Sequence, residues 1–284
     1  HAWTHVGSGG VRAGTCTLWI FNALVAAFLG VGMAHDTVFC YESQAFKQRF
    51  IRAHHGDDAI IFKDVVALGT GEAEESRGGK LLVPLNVDWV FSGPSCKDLS
   101  LLNGKRKRLA AVIGEKTGSS GITFAGTLEY IKKSYAKLAT LEMVLGLLTR
   151  NATPSTEEAQ NTDAVQNDVA WGRAFADAGF VYLFIKAVSS EFFLLEARRW
   201  VYTIAASPAR CRLTRAEAAA RLERVKSAVE ALADPMAMQP LQKYWLPRQH
   251  PMVEKEANRL RQLLSKEALQ PRRSSRHRGT ATTG

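Results

Sequence analysis

The sequence has no Cys-x-x-Cys pair, and its four cysteines, Cys16, Cys40, Cys96 and Cys211, are widely spaced. That spacing indicates neither a zinc site nor a disulfide scaffold and fits a reducing intracellular compartment. No internal repeat is present, so no repeat architecture is indicated. Long apolar runs are nearly absent as well. Only Cys16 to Met33 approaches transmembrane length, interrupted mainly by Asn22. Two readings compete there: a membrane anchor, or a buried strand and helix opening an α/β sheet, in which both faces are covered and apolar runs are the rule. The strand and helix alternation that follows favours the sheet. An initiating methionine is missing too, since the chain begins at His1, as expected of a piece of a longer protein.

Acidic residues are in deficit, 27 against 37 Lys and Arg, for a formal charge of +10. That surplus suits a polyanionic partner such as nucleic acid. It serves solubility equally well, so charge alone does not choose. The 284 residues, 46% of them apolar, suffice for one sizeable core and a small appendage.

Along the chain, Thr37 to Tyr41 is a β-prone string ending in Glu42. Ser43 to His54 has helical spacing, with Phe46, Phe50 and Ile51 expected inward. Ala59 to Phe62 is a second strand ending near Asp64, and Gly69 to Lys80, rich in glycine and charge, is expected as a surface loop. Asn86 to Phe91 is a third strand. It runs into Ser92-Gly93-Pro94-Ser95-Cys96, where glycine and proline force a sharp turn. Cys96 therefore sits at a strand's carboxyl end, the edge where ligands bind in open α/β sheets. Leu101 to Ser120, with Lys105, Arg106, Lys107 and Arg108, is expected as a mobile basic loop.

The later segments read as a helix from Phe124 to Lys137, a strand from Leu138 to Val144, a polar linker from Arg150 to Thr162 and a helix from Asp168 to Ala178. Strands Val181 to Val188 and Arg199 to Ala205 follow. This βαβα succession predicts an α/β fold with a doubly wound, mostly parallel sheet over residues 1–208. Helical spacing returns in Ala216 to Leu232 and Glu254 to Leu269, around an irregular Pro235 to Pro251, giving a basic helical extension over 209–270. The Arg- and Ser-rich end, residues 271–284, is expected to be disordered.

Asp88-Trp89-Val90-Phe91-Ser92-Gly93-Pro94-Ser95-Cys96-Lys97-Asp98-Leu99-Ser100 resembles the strand and Gly-x-Pro-Cys-Gln-x-x-Ser segment of the DNA (cytosine-5) methyltransferases. Ser95 stands in place of the usual proline and Lys97 in place of glutamine. Thr140-Leu141-Glu142-Met143-Val144 is similar to that family's Glu-Asn-Val strand end, and Glu196-Ala197-Arg198-Arg199-Trp200 to its Gln-x-Arg-x-Arg. The resemblance spans roughly residues 29–206 and implies a fold of the S-adenosylmethionine-dependent methyltransferase type. It implies Cys96 as the nucleophile toward C6 of a flipped-out cytosine, with Lys97 favouring its thiolate. Glu142 is implied to hold the ring and favour a proton at N3, and Arg198 to reach the exocyclic oxygen.

The same resemblance implies S-adenosylmethionine as cofactor, with Glu42 on its ribose hydroxyls, Asp64 on its adenine, and Gly93 and Pro94 beside it. Lys105 to Arg108 would meet nucleic acid. The implied partner is cytosine-containing DNA in the nucleus, transfer RNA being the alternative substrate. No metal is implied. Leu18 to Leu24, where the family carries Phe-x-Gly-x-Gly, has no glycine. That absence keeps open a catalytically silent relative that binds nucleic acid.

Overall fold

The computed structural model describes residues 11–15, 35–100, 102–103, 112–148, 166–192, 198–233, 254 and 258. Its main sheet is built from β1 (Val11–Thr15), β2 (His35–Tyr41), β3 (Ile61–Phe62), β6 (Trp89–Ser92), β7 (Leu138–Val144), β8 (Val181–Val188) and β9 (Arg199–Ala206). They lie in the order β3-β2-β1-β6-β7-β9-β8. Neighbours from β3 to β7 pair in parallel, whereas β9 pairs antiparallel with both β7 and β8. β9 alone therefore runs against the other six. The expected βαβα succession breaks at this end, because β8 and β9 pair directly with no crossover helix between them among the described residues.

Burial on β7 alternates strictly: Ala139, Leu141 and Met143 are buried, while Leu138, Thr140, Glu142 and Val144 are half-buried. The buried set meets α4 (Gly118–Lys133) and α5 (Asn167–Asp177) in one core. Phe124, Leu128 and Ile131 recur at helical spacing on α4 and so present one apolar face to the sheet. Phe124 stacks on Trp171 of α5 at 3.9 Å between ring centroids. On the half-buried side, Trp89 Nε1 donates to Thr140 Oγ1 at 3.1 Å, tying β6 to β7.

Several local expectations are corrected. In α1 (Ala45–His55) Ile51 is buried, but Phe46 is 61% exposed and Phe50 42% exposed. The inward positions are taken instead by Ile51 and Gln48, whose amide donates to the Glu42 carbonyl at 2.6 Å. Helix α4 starts at Gly118 rather than Phe124, and a short α3 (Val112–Glu115) precedes it. The described part of the expected basic loop is thus partly helical.

The expected loop Gly69 to Lys80 contains an antiparallel hairpin, β4 (Glu72–Glu74) with β5 (Lys80–Leu82), following the short α2 (Val65–Leu68). Its turn uses Gly78 and Gly79, both at positive φ. Glu75, only 2% exposed, is the anchor. Burial alone would push its carboxyl up. Bonds from the Arg77 N–H, the Ser76 hydroxyl, the Arg77 side chain and the Ile61 N–H outweigh that and hold it down to about 2. Arg52 of α1 adds an ion pair at 2.8 Å. Glu75→Gln leaves these donors facing a neutral amide, and we expect a loss of about 3 kcal/mol in urea unfolding at neutral pH. The depressed carboxyl contributes stability that is present above an ordinary 4.5 and lost as pH falls through about 2. The wild-type advantage over Glu75→Gln should therefore shrink across that window.

After β9 come α6 (Pro208–Cys211) and α7 (Arg215–Leu232). Helix α7 opens on a capping box in which the Thr214 hydroxyl accepts from the Glu217 N–H and Glu217 accepts from the Thr214 N–H. Its Ala218 and Leu222 are buried, and the helix packs on β8 and β9. The chain divides into units at residues 1–238 and 239–284. In the second, Glu254 and Asn258 are helical. The Cys16 to Met33 run, Lys105 to Arg108, the 150–162 linker, the 235–251 segment and the 271–284 tail lie outside the described residues. No helix among the described residues is long and apolar enough to cross a membrane.

Candidate active site

The segment after β6 begins from a fixed point. Ser92, fully buried, shares hydrogen bonds with the Tyr41 hydroxyl at 2.8 Å and the Thr127 hydroxyl at 3.2 Å, joining β2, β6 and α4. Pro94 and Leu99 are buried on either side of Cys96, which is half-buried against the core. The Cys96 carbonyl accepts from the N–H groups of Leu99 at 3.1 Å and Ser100 at 2.9 Å, closing a turn.

Three bonds join this turn to the start of α4. The Ser95 N–H donates to Thr123 Oγ1 at 2.9 Å, the Asp98 N–H donates to Ser120 Oγ at 3.1 Å, and the Ser120 N–H donates to Asp98 Oδ2 at 2.7 Å. Thr117, at the N-cap position of α4, makes no side-chain cap of its own, so Asp98 satisfies an otherwise orphaned N–H from outside the helix. Gly118 permits this approach. Its φ is +61, and a Cβ there would stand 2.7 Å from Asp98 Oδ2.

Glu142 lies on β7, the strand next to β6, directly opposite Tyr202 of β9. Opposed residues of an antiparallel pair share a face, with Cβ atoms about 5 Å apart. Arg198, exposed, stands immediately before β9. Burial raises the Glu142 carboxyl from an ordinary 4.5 to about 7, with the Arg198 charge pulling it down less strongly. The Tyr202 phenol is pushed up to about 12, first by burial and then by Glu142. Cys96 belongs to the same electrostatic neighbourhood: burial pushes its thiol up and Glu142 adds to the rise. Lys97 does pull it down, as expected from the sequence, but burial outweighs that pull and the thiol is on balance raised.

Glu42, 8% exposed, stands at the carboxyl end of β2, where its N–H donates to the Phe62 carbonyl at 2.9 Å. Its Oε1 accepts from the Gln44 N–H at 3.0 Å, and Lys47 Nζ lies 3.5 Å from Oε2. Asp64, exposed after β3, caps α2 by accepting from the Val66 N–H at 2.9 Å. Gly93 follows β6. Since β2, β3 and β6 run parallel, these three positions occupy one edge of the sheet, with Cys96 beyond it. Tyr202 was not singled out by sequence reasoning, nor were Asp98 and Thr123. Only strand register reveals the first, and the other two sit about one helical turn from each other's partners across 22 to 28 residues of chain.

No family model matches the chain. A stretch of 115 residues, 40% of the chain, is 36% identical to DNA (cytosine-5-)-methyltransferase DMT5 of Cryptococcus neoformans. A stretch of 91 residues, 30% of the chain, is 32% identical to the protein of the same name from Verticillium dahliae. The chain spans 5% and 4% of the length of these two curated relatives. Among solved structures, S. pombe Dnmt2 methyltransferase matches 70% of the chain and 50% of its own, at 11% identity and a TM-score of 0.42. Entamoeba histolytica methyltransferase EhMeth matches 70% and 53%, at 9% identity and 0.43. Over those stretches the chain is similar to DNA cytosine-5 methyltransferases, and the resemblance read from its motifs is borne out to that extent.

Proposed function

We propose that this protein is an S-adenosylmethionine-dependent DNA (cytosine-5-)-methyltransferase whose Cys96 forms a covalent adduct with the target base. The observation that carries the reading is the pairing of Cys96, on the loop after β6, with a Glu142 carboxyl that titrates near 7 on the next strand. A carboxyl that keeps its proton near neutrality is what a ring nitrogen needs from a general acid. The sheet is read as the methyltransferase type, doubly wound with a basic helical extension, and the compartment as the nucleus.

The chemistry follows from these groups. With a cytosine flipped out of the duplex, Cys96 Sγ adds to C6 while Glu142 gives a proton to N3 and Arg198 donates to the exocyclic oxygen. The N3 proton and the arginine charge offset the electron density that addition pushes into the ring. C5 thereby becomes nucleophilic. S-adenosylmethionine, when bound, supplies an electrophilic methyl group. Loss of the C5 proton to a base then expels the Cys96 thiolate and restores the aromatic ring.

The residues present fit that cofactor: a buried carboxylate held in orientation by the Gln44 N–H suits vicinal ribose hydroxyls, and an exposed Asp64 suits an amino group. Glu42→Ala should weaken S-adenosylmethionine binding in calorimetry by between about tenfold and a hundredfold, the usual worth of hydrogen bonds to a charged group. The wild-type protein should also transfer labelled methyl groups to cytosine in DNA. The glycine-free Leu18 to Leu24 favours a second reading, a silent relative that binds nucleic acid. Folded wild-type protein that shows no heat of cofactor binding would decide for the second.

A further inference from the structure

The turn carrying Cys96 and the first turns of α4 are one hydrogen-bonded unit. The two N–H groups flanking Cys96, those of Ser95 and Asp98, donate to hydroxyl oxygens of that helix, and the Asp98 carboxylate takes the Ser120 N–H in return. Thr123 is suited to its part because its hydroxyl hydrogen is already committed to the Ser119 carbonyl at 2.7 Å, leaving a lone pair for Ser95. Asp98 also places a negative charge at the positive end of a 16-residue helix. A residue held from both sides has few alternative backbone states, and its side chain inherits that restriction.

We propose that Thr123 and Asp98 are positioning residues that fix the Cys96 thiol by holding its loop against the start of α4. The proposal rests on the reading of Cys96 as the nucleophile only for its consequence in catalysis, since the restraint itself is a property of the folded chain.

The test is the rate at which iodoacetamide alkylates Cys96 in the full chain, followed by peptide mass spectrometry. Thermal unfolding serves as a check that each variant is folded. Thr123→Val strands the Ser95 N–H and Asp98→Ala strands the Ser120 N–H. Each should speed alkylation about fivefold, the equivalent of one lost hydrogen bond. Thr123→Ser and Asp98→Asn keep an acceptor in place and should alkylate at the wild-type rate. Ser95→Pro provides a sharper arm. Proline has no N–H and removes the same bond from the loop side, so in a Ser95→Pro background Thr123→Val should change the alkylation rate by less than about twofold, a factor worth less than one typical hydrogen bond.

In methyl transfer, Thr123→Val should lower kcat with KM for DNA unchanged. Wild-type alkylation rates in both Thr123→Val and Asp98→Ala would overturn the proposal. So would a Thr123→Val acceleration as large in the Ser95→Pro background as in the wild type. Alkylation requires neither cofactor nor DNA. A protein that shows the full alkylation pattern yet transfers no methyl group therefore overturns the proposed function and supports the restraint.

Discussion

Incubated with S-adenosylmethionine and DNA whose target cytosine carries fluorine at C5, the wild-type protein should form a covalent complex that survives denaturing electrophoresis. Cys96→Ser should form none. Addition of the thiolate at C6 and acceptance of the methyl group at C5 do not touch the C5–F bond. Elimination does, because it removes a C5 proton that fluorine has replaced, so the Cys96–C6 bond cannot break. Serine is similar in size but far less ionised near neutral pH, and Cys96→Ser should retain non-covalent binding.

Glu142→Gln should slow trapping by a factor of about a hundred or more, the usual contribution of a positioned general acid. Cys40→Ser and Cys211→Ser should leave it unaffected: Cys40 is buried on β2, and Cys211 lies at the end of α6, its thiol against the Lys137 carbonyl at 3.6 Å. Folded wild-type protein that gives no adduct on DNA or transfer RNA would sink the active-enzyme reading. An adduct persisting in Cys96→Ser would sink the residue assignment instead.

What the sequence made legible was local. Strand β7 and strand β8 have the bounds their apolar patterns suggest, and α7 begins one residue from its expected start because Thr214 and Glu217 form a cap within four residues of chain. The Cys96 turn was readable because glycine and proline announce it. The hairpin of β4 and β5 was not, since a run of Gly and Glu looks solvated unless one knows that Glu75 meets Arg52, 23 residues away. The face shared by Glu142 and Tyr202 depends on β9 running backwards beside β7, and nothing in either strand's own sequence declares its direction. The cap that Asp98 makes on α4 is likewise invisible to any rule that seeks a helix's cap next to its first turn.

Glu142 should make the protein less stable at the pH where it would work. Its carboxyl is raised from 4.5 to about 7 in the folded chain, mainly by burial. A group raised on folding contributes stability that is fully present below its unfolded value and lost as pH rises through the folded one. The window here runs from about 4.5 to about 7, and the separation corresponds to an upper bound on the order of 3 kcal/mol. Glutamine cannot ionise. In urea unfolding, Glu142→Gln should therefore gain on the wild type as pH rises through that window, by a large part of the bound, and the difference should be flat above it.

The same titration limits activity. Above about 7 Glu142 gives up the proton that N3 requires, while Cys96, its thiol raised by burial, gains thiolate only as pH rises. The two demands oppose each other, and the rate of adduct formation should pass through a maximum in pH whose descending limb is absent in Glu142→Gln. A stability difference that does not vary with pH would show that Glu142 ionises as freely as an exposed carboxylate, and the general-acid role would fall with it.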